Sequence, residues 1–380
     1  MMGHIMVHEA ASSVYSTPPP DAHKGHPYMS ACPSSSPGIG AGWMFMATFL
    51  VSIFLLASCS HSPSAAKSSI AGGSEYQSPA DSLPVNSAVV TTGCGHTSPV
   101  SAGISVKMTV AVDPAESEGN STRTFLLHLP KQYDDTRPMA VILVFHGHGG
   151  NASGMEQGSG ISTLADQQHF IAVYPQGLTE RFTNISFWAD IGQIDYGIND
   201  VLFVSDLLNY LQRTFCVDAH RIYATGFSNG GGMTTLLACR LAGRIAAFAP
   251  MSGDHFAIPG GCHPGRPVPI LYTHGTADPL VPYNGSPPSK TPDWPVPSVL
   301  QYLQTWAARD GCSSGPTIFL QQAGKSGQPG VTGMQWTRCQ GNVRVVHYRI
   351  DGGGHRWPPV IEGQPAALVM WQFFSQFTLP

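Results

Sequence analysis

A serine hydroxyl is a poor nucleophile near neutral pH; it needs an imidazole to take its proton and a carboxylate to steady that imidazole. The run Gly226-Phe227-Ser228-Asn229-Gly230 offers such a serine. It matches Gly-x-Ser-x-Gly, follows a strand-like run from Arg221 to Thr225 and leads into a helix-like run. That order predicts a sharp strand-to-helix turn, in which flanking glycines accept tight backbone geometry and the Ser228 hydroxyl stands exposed above a sheet. The chemistry to look for is acyl transfer, with the remaining parts supplied from elsewhere in the chain.

A serine in this kind of turn takes its acid, and then its histidine, from later in the sequence. The histidines beyond it are His255, His263, His274, His347 and His355. His347 lies inside a strand-like run and is expected to be packed or paired there. His355 follows Gly352-Gly353-Gly354 in the loop after that strand, and it is the expected base. Five aspartates separate Ser228 from His355. Asp278 sits just past a strand end and before a turn, the place required of the acid. Its bland reading is a turn aspartate that caps the segment after it. Asp254, also after a strand, is the runner-up. Asp351 is too close to His355 along the chain, and Asp293 and Asp310 read as loop or helix-end residues.

Ester cleavage also builds negative charge on the carbonyl oxygen, so backbone N–H groups must already be aimed at it, each worth on the order of a hundredfold or more in rate. One should be the amide of Asn229. The other is expected from His146-Gly147-His148-Gly149-Gly150, a glycine-rich loop after a strand, with the amide of His148 favoured. Two histidines without a nearby carboxylate or thiolate make a poor metal site, so no metal and no cofactor are expected.

The elements that must hold these groups alternate along the chain. Thr122 to Leu129, Ala140 to Phe145 and His169 to Tyr174 read as strands. A helix from about Asp200 places Val204, Leu207, Leu208 and Leu211 on one face. The helix after Ser228 does the same with Met233, Leu236, Leu237 and Leu241. Ile245 to Ala249, Val268 to Thr273 and Val343 to Ile350 read as further strands. A helix through Val299, Leu303, Trp306 and Ala307 precedes the last of these, and one through Ala367, Met370, Trp371 and Phe374 closes the chain. Strands alternating with helices argue for an α/β class with a mostly parallel sheet covered on both faces.

The chain has 380 residues, 42% of them hydrophobic, enough for one large core. Charged residues make up 11% and the formal net charge is −4, which gives no broad attraction to nucleic acid or anionic membrane. Neutral or polymeric partners fit better, and a monomer is expected. Residues 42–58 form an uncharged apolar run of signal-peptide length ending in Leu56-Ala57-Ser58-Cys59, similar to a bacterial lipobox in which the cysteine is lipidated. The competing expectation is an ordinary secretory signal. Residues 1–41 hold Lys24 against Glu9 and Asp21, a poor positive flank, so a true start at Met44 or Met46 is considered. The resulting division is an upstream tail and signal over 1–59, a Ser/Ala/Gly/Pro-rich tether over 60–93 and a catalytic domain over 94–380. Export puts six cysteines, Cys94, Cys216, Cys239, Cys262, Cys312 and Cys339, in an oxidising compartment. Six allow fifteen pairings. Short loops favour Cys239 with Cys262 and Cys312 with Cys339, leaving Cys94 for Cys216.

Taken together, Ile222 to Gly231 around Ser228, Phe145-His146-Gly147-His148-Gly149, and Gly352-Gly353-Gly354-His355-Arg356-Trp357-Pro358 resemble the esterase and polyhydroxybutyrate-depolymerase family, which includes feruloyl esterases of carbohydrate esterase family one. The resemblance covers roughly residues 94–380. It implies an α/β-hydrolase fold, secretion and cleavage of carboxylic esters, either hydroxycinnamoyl esters on plant cell-wall polysaccharide or aliphatic polyesters. It also supports Ser228, Asp278 and His355 in the roles given above. Two departures stand out: Gly230 to Gly232 are three glycines where two are expected, and Arg356 replaces a smaller polar residue. Trp188, Trp294 and Trp357 are candidates to line a substrate cleft, with packing under long loops as the plain alternative. The alternative from another class is a hydrolase-fold surface binding protein without turnover, but a binder has no need of serine, acid, histidine and glycine loop together.

Overall fold

The computed structural model describes residues 91–180, 183–190, 198–258, 260–286, 296–325 and 327–380, all within one compact unit, Gly73–Pro380. The expected signal and lipidation segment around Cys59, the tether as far as residue 90, and Trp294 lie outside the described residues. The chain is already tied down ahead of Cys94: the amides of Thr92 and Gly93 both donate to Gln212 O, at 3.2 and 3.1 Å.

Among the described residues fourteen strands and six α-helices follow one another. The strands are β1 (Ser105–Ala111), β2 (Thr122–His128), β3 (Met139–Phe145), β4 (Ile171–Pro175), the two-residue pieces β5 (Leu178–Thr179) and β6 (Ser186–Phe187), β7 (Val217–Phe227), β8 (Ala247–Met251), β9 (Ile270–Gly275), β10 (Ser314–Gln322), β11 (Gly330–Thr337), β12 (Val345–Asp351), and the short β13 (Val360–Ile361) and β14 (Gln364–Pro365). The helices are α1 (Ala152–Ser159), α2 (Ile161–Gln168), α3 (Asp200–Thr214), α4 (Asn229–Arg240), α5 (Val299–Arg309) and α6 (Ala366–Phe374).

Ten strands form one sheet in the order β1-β2-β4-β3-β7-β8-β9-β12-β11-β10. From β4 to β12 every neighbouring pair is parallel. β1 and β2 on one side and β10 and β11 on the other add antiparallel flanks. The central strands read as unbroken apolar runs because both their faces are covered. In β3, Val141, Leu143 and Phe145 face one core with α3, α4 and α5. Ala140, Ile142 and Val144 face the other with α1, α2 and α6. Period-two alternation thus divides one apolar run between two layers. The expected α/β class and parallel core are met.

Helix positions follow from the same bookkeeping of apolar faces and caps. In α3, Val204, Leu207, Leu208 and Leu211 are fully buried, each contributing roughly 1.5–3 kcal/mol over exposure. Its start is fixed by Asn199 Oδ1, which accepts the Leu202 amide at 3.0 Å. Three disulfides, Cys94–Cys216, Cys239–Cys262 and Cys312–Cys339, match the expected pairing. Among the described residues no helix is long and apolar enough to cross a membrane.

Candidate active site

β7 ends at Phe227 and α4 begins at Asn229, so Ser228 occupies the single residue between them. Its backbone is left-handed, φ 56° and ψ −125°, a conformation that costs a non-glycine residue about 1–3 kcal/mol. Neighbouring contacts hold it there. The Ser228 amide donates to Met251 O of β8 at 3.0 Å, and Ser228 O accepts the Gly232 amide at 2.9 Å as the first bond of α4. A Cβ on Gly226 would lie 2.2 Å from Gly230 O, and one on Gly230 2.4 Å from both His146 O and Phe145 O. The glycines are therefore required by close backbone approach on both sides of the serine.

Asp278 and His355 arrive from two loops at the ends of the parallel strands β9 and β12, stitched to one another. The Ala277 amide donates to Gly353 O at 2.9 Å, and the Gly352 amide to Thr276 Oγ1 at 2.8 Å. Gly352, at φ 79°, makes the turn that sends the chain back over the sheet. His355 Nδ1–H donates to Asp278 Oδ2 at 2.8 Å, which leaves Nε2 as an acceptor for the Ser228 hydroxyl, also at 2.8 Å. The three side chains, distant in sequence, form one hydrogen-bonded line. The His355 ring also lies over Phe227, centroids 4.8 Å apart.

Asp278 divides its oxygens. Oδ1 accepts the amides of Leu280 and Val281, each at 2.9 Å, so the residue does cap the turn after it. Oδ2 takes His355 and, at 3.2 Å, His274 Nε2. Burial acts to raise the Asp278 pKa, but the bonds from His274, His355 and the Val281 amide outweigh it and hold the carboxyl well below its ordinary range. Asp278 stays ionised across neutral and mildly acidic pH. His274 is the residue that the sequence reading passed over. Its Nε2–H also donates to Val281 O at 2.8 Å, and its Nδ1 faces Tyr272 Oη at 3.2 Å. The available signal was its place at a strand end four residues before Asp278. The expected strand histidine, His347, is fully buried, with Nε2 on Tyr283 Oη and Nδ1 on Tyr272 O, each at 2.9 Å.

The His146 loop lies against the serine: a Cβ on Gly147 would be 3.2 Å from Ser228 Cβ. His146 is itself buried, with Nδ1–H donating to Gly147 O at 2.8 Å and Nε2 accepting the Gly177 amide at 3.0 Å. Both nitrogens are thus engaged in shaping the loop. Gly147 O also accepts the Gly150 amide at 2.9 Å. Because a trans peptide sets its C=O and N–H in opposite directions, anchoring Gly147 O turns the His148 N–H the other way.

Trp188 is a correction to the expected cleft. It is 1% exposed, and its indole N–H donates to His146 O at 2.9 Å while its ring packs on Phe145 and Phe203. A large apolar ring with one satisfied donor belongs in the core, where it cannot meet a substrate. Its backbone holds the elbow instead: Trp188 N–H donates to Asn229 Oδ1 at 2.8 Å, and Asn229 Nδ2 donates to Trp188 O at 3.0 Å. Trp357 is half-buried against the α6 side of the sheet, and Arg356 is exposed. The third elbow glycine also has a reason, since a Cβ on Gly232 would lie 2.2 Å from Asp190 Oδ2. Burial and then the nearby Asp254 push Asp190 well above the usual carboxylate pKa. Burial likewise raises Asp254 to about 6, opposed by the charge of His355.

The family model described as Esterase PHB depolymerase matches residues 124–264. Feruloyl esterase B of Piromyces equi is 31% identical over 263 residues, covering 68% of this chain and 46% of that protein, so the chain spans about half the relative's length. The putative esterase NocK of Nocardia uniformis subsp. tsuyamanensis is 30% identical over 249 residues, 62% of this chain and 71% of that protein. Among solved structures, an acetyl xylan esterase from Aspergillus awamori superposes with a TM-score of 0.50 at 16% identity, covering 71% of this chain and 99% of that one. That last likeness is one of fold.

Proposed function

Because the chain belongs to the esterase and polyhydroxybutyrate-depolymerase family, we propose that it is a serine carboxylic ester hydrolase acting through an acyl-enzyme on feruloyl (hydroxycinnamoyl) esters of plant cell-wall polysaccharide. The observation that carries the reading is the line Ser228 Oγ, His355 Nε2, His355 Nδ1, Asp278 Oδ2, with 2.8 Å at each hydrogen bond, set on a strained turn.

In this reading Ser228 Oγ attacks the ester carbonyl as His355 Nε2 takes its proton, and Asp278 stabilises the imidazolium. The amides of Asn229 and His148 receive the oxyanion. His355 returns the proton to the departing alcohol, leaving an ester on Ser228. Water then attacks that ester with His355 again as base, and the carboxylic acid leaves as Ser228 regains its proton. The Ser228, His355 and Asp278 side chains are already hydrogen-bonded to one another, and groups arranged before substrate arrives lower a barrier without reorganising.

The feruloyl substrate is supported by the 31% identical relative of that name, and Trp357 is the remaining described candidate to line the cleft. The family description keeps aliphatic polyester as the competing substrate. Export, with or without lipid attachment at Cys59, belongs to the same reading, since three disulfides suit an oxidising compartment. The test is side-by-side release of ferulate from methyl ferulate and clearing of polyhydroxybutyrate by purified protein. Ferulate release without clearing is expected; clearing without ferulate release would replace the substrate with a polyester.

A further inference from the structure

Beside the Ser228 line, and not bounded by Ser228, Asp278 or His355, lies a cavity of about 500 Å³. That volume falls within the roughly 300–1,000 Å³ of small-ligand sites. Its floor is the ends of β9 and β12, at Thr273, Gly275 and Ile350. Crevices at the carboxyl ends of parallel strands are where open α/β sheets hold ligands. One wall is the glycine turn Gly352 to Gly354 together with Arg356, so the residues on both sides of His355 face it. The opposite wall is the β10–β11 hairpin, through Gln322, Lys325 and Gln328.

The charges lining the cavity are not equally free. Asp351 is occupied by Arg349 Nε at 2.5 Å and by Thr332 Oγ1 at 2.9 Å. Glu362 accepts the Tyr348 hydroxyl at 3.0 Å. Arg356 and Lys325, both exposed, make no ion pair among the described residues. With Asp351 answered by Arg349, the cavity sets Lys325 and Arg356 against the one carboxylate of Glu362, an excess of one positive charge, with two glutamine amides beside them. A guanidinium and an ammonium facing one space select an anionic oxygen ligand. The glutamine amides and glycine backbone suit ring hydroxyls.

We propose that this cavity binds a carboxylate-bearing sugar, a uronosyl unit of the polysaccharide that also carries the ester. The polysaccharide context rests on the feruloyl-esterase reading; the binding chemistry does not. Such a site would hold an acidic chain beside the His355 loop and favour esters on uronate-containing polysaccharide over the same ester on a neutral chain.

The test uses calorimetric titration of the full chain and of its Ser228→Ala variant, which cannot turn substrate over, with trigalacturonate, xylotriose and sodium acetate as probes. Trigalacturonate is expected to bind both proteins alike and at least tenfold more tightly than xylotriose. Binding should weaken several-fold between 50 and 500 mM NaCl, since salt screens such contacts. Lys325→Ala, at an exposed hairpin position, and Arg356→Ala should each weaken it at least fivefold. Equal binding of xylotriose, binding of acetate as tight as that of trigalacturonate, or unchanged affinity in Lys325→Ala would overturn the site. Hydrolysis of p-nitrophenyl acetate, followed in parallel, keeps the two readings apart. Turnover without uronate binding removes the cavity proposal alone, and uronate binding without turnover removes the esterase alone.

Discussion

Asp278 does two jobs at once, and the second depends on a neighbour that makes no hydrogen bond to Ser228. Oδ1 closes its own turn, whereas Oδ2 is shared between His355 at 2.8 Å and His274 at 3.2 Å. His274 thereby limits where Oδ2 can sit, making it a positioning residue for the imidazole that faces Ser228. Replacing it with alanine removes a donor from a buried carboxylate and leaves a gap. We expect His274→Ala to lower kcat for p-nitrophenyl acetate about 10–100-fold with KM little changed, because what is lost is orientation rather than binding. His274→Gln, which keeps a donor of similar reach, should recover most of the loss. A fall in thermal midpoint with kcat intact would instead assign His274 to stability alone. Ser228, Asp278 and His355, which the structure hydrogen-bonds into one line, could be brought forward from the sequence because each sits at a strand end with a distinctive neighbourhood. Sequence reading missed His274, since a place at a strand end four residues before Asp278 does not by itself tell a histidine bonded to that carboxylate from one merely near it. It misplaced Trp188 for the converse reason: an aromatic in a long loop looks the same whether the loop lies over a cleft or folds its ring into the core.

At the scale of elements, the turn between β7 and α4 is set by what cannot fit around it. A methyl group on Gly230 would meet two backbone carbonyls, those of Phe145 and His146, at 2.4 Å each. Neither can retreat without moving β3 and the loop that faces Ser228. Gly230→Ala is therefore expected to cost more than about 3 kcal/mol, seen as little soluble protein or a thermal midpoint lower by some ten degrees. A variant with wild-type stability and activity would show that the elbow has room that these contacts deny. The parallel centre of the sheet was legible because strands buried on both faces are written as continuous apolar runs, such as Met139–Phe145. The flanks were not. β10 has no buried residue, and its alternation is too weak to read as a strand before β11 is seen to pair with it.

Across the whole molecule, protons link the site to stability. Burial raises Asp254 from an ordinary 3.8 to about 6, and no hydrogen bond to its side chain is present among the described residues to offset it. A carboxyl whose folded pKa exceeds its unfolded value holds its proton more tightly in the fold. Its favourable contribution is complete below about pH 3.8 and is lost as pH rises through about 6. Asp254→Asn removes that loss. The variant should gain on the wild type by up to about 3 kcal/mol at pH 7.5, with the advantage shrinking toward pH 4, as read from thermal midpoints at both values. An advantage that is constant with pH would mean that Asp254 does not titrate in this window.

The line from Ser228 to Asp278 is a claim about reactivity, and it is tested most directly by labelling the intact protein with a fluorophosphonate probe and locating the adduct by peptide mass spectrometry. The expected result is one adduct per chain, on Ser228, abolished in Ser228→Ala together with p-nitrophenyl acetate turnover and slowed at least a hundredfold in His355→Ala. Folded wild-type protein that neither labels at Ser228 nor differs from Ser228→Ala in turnover would contradict it.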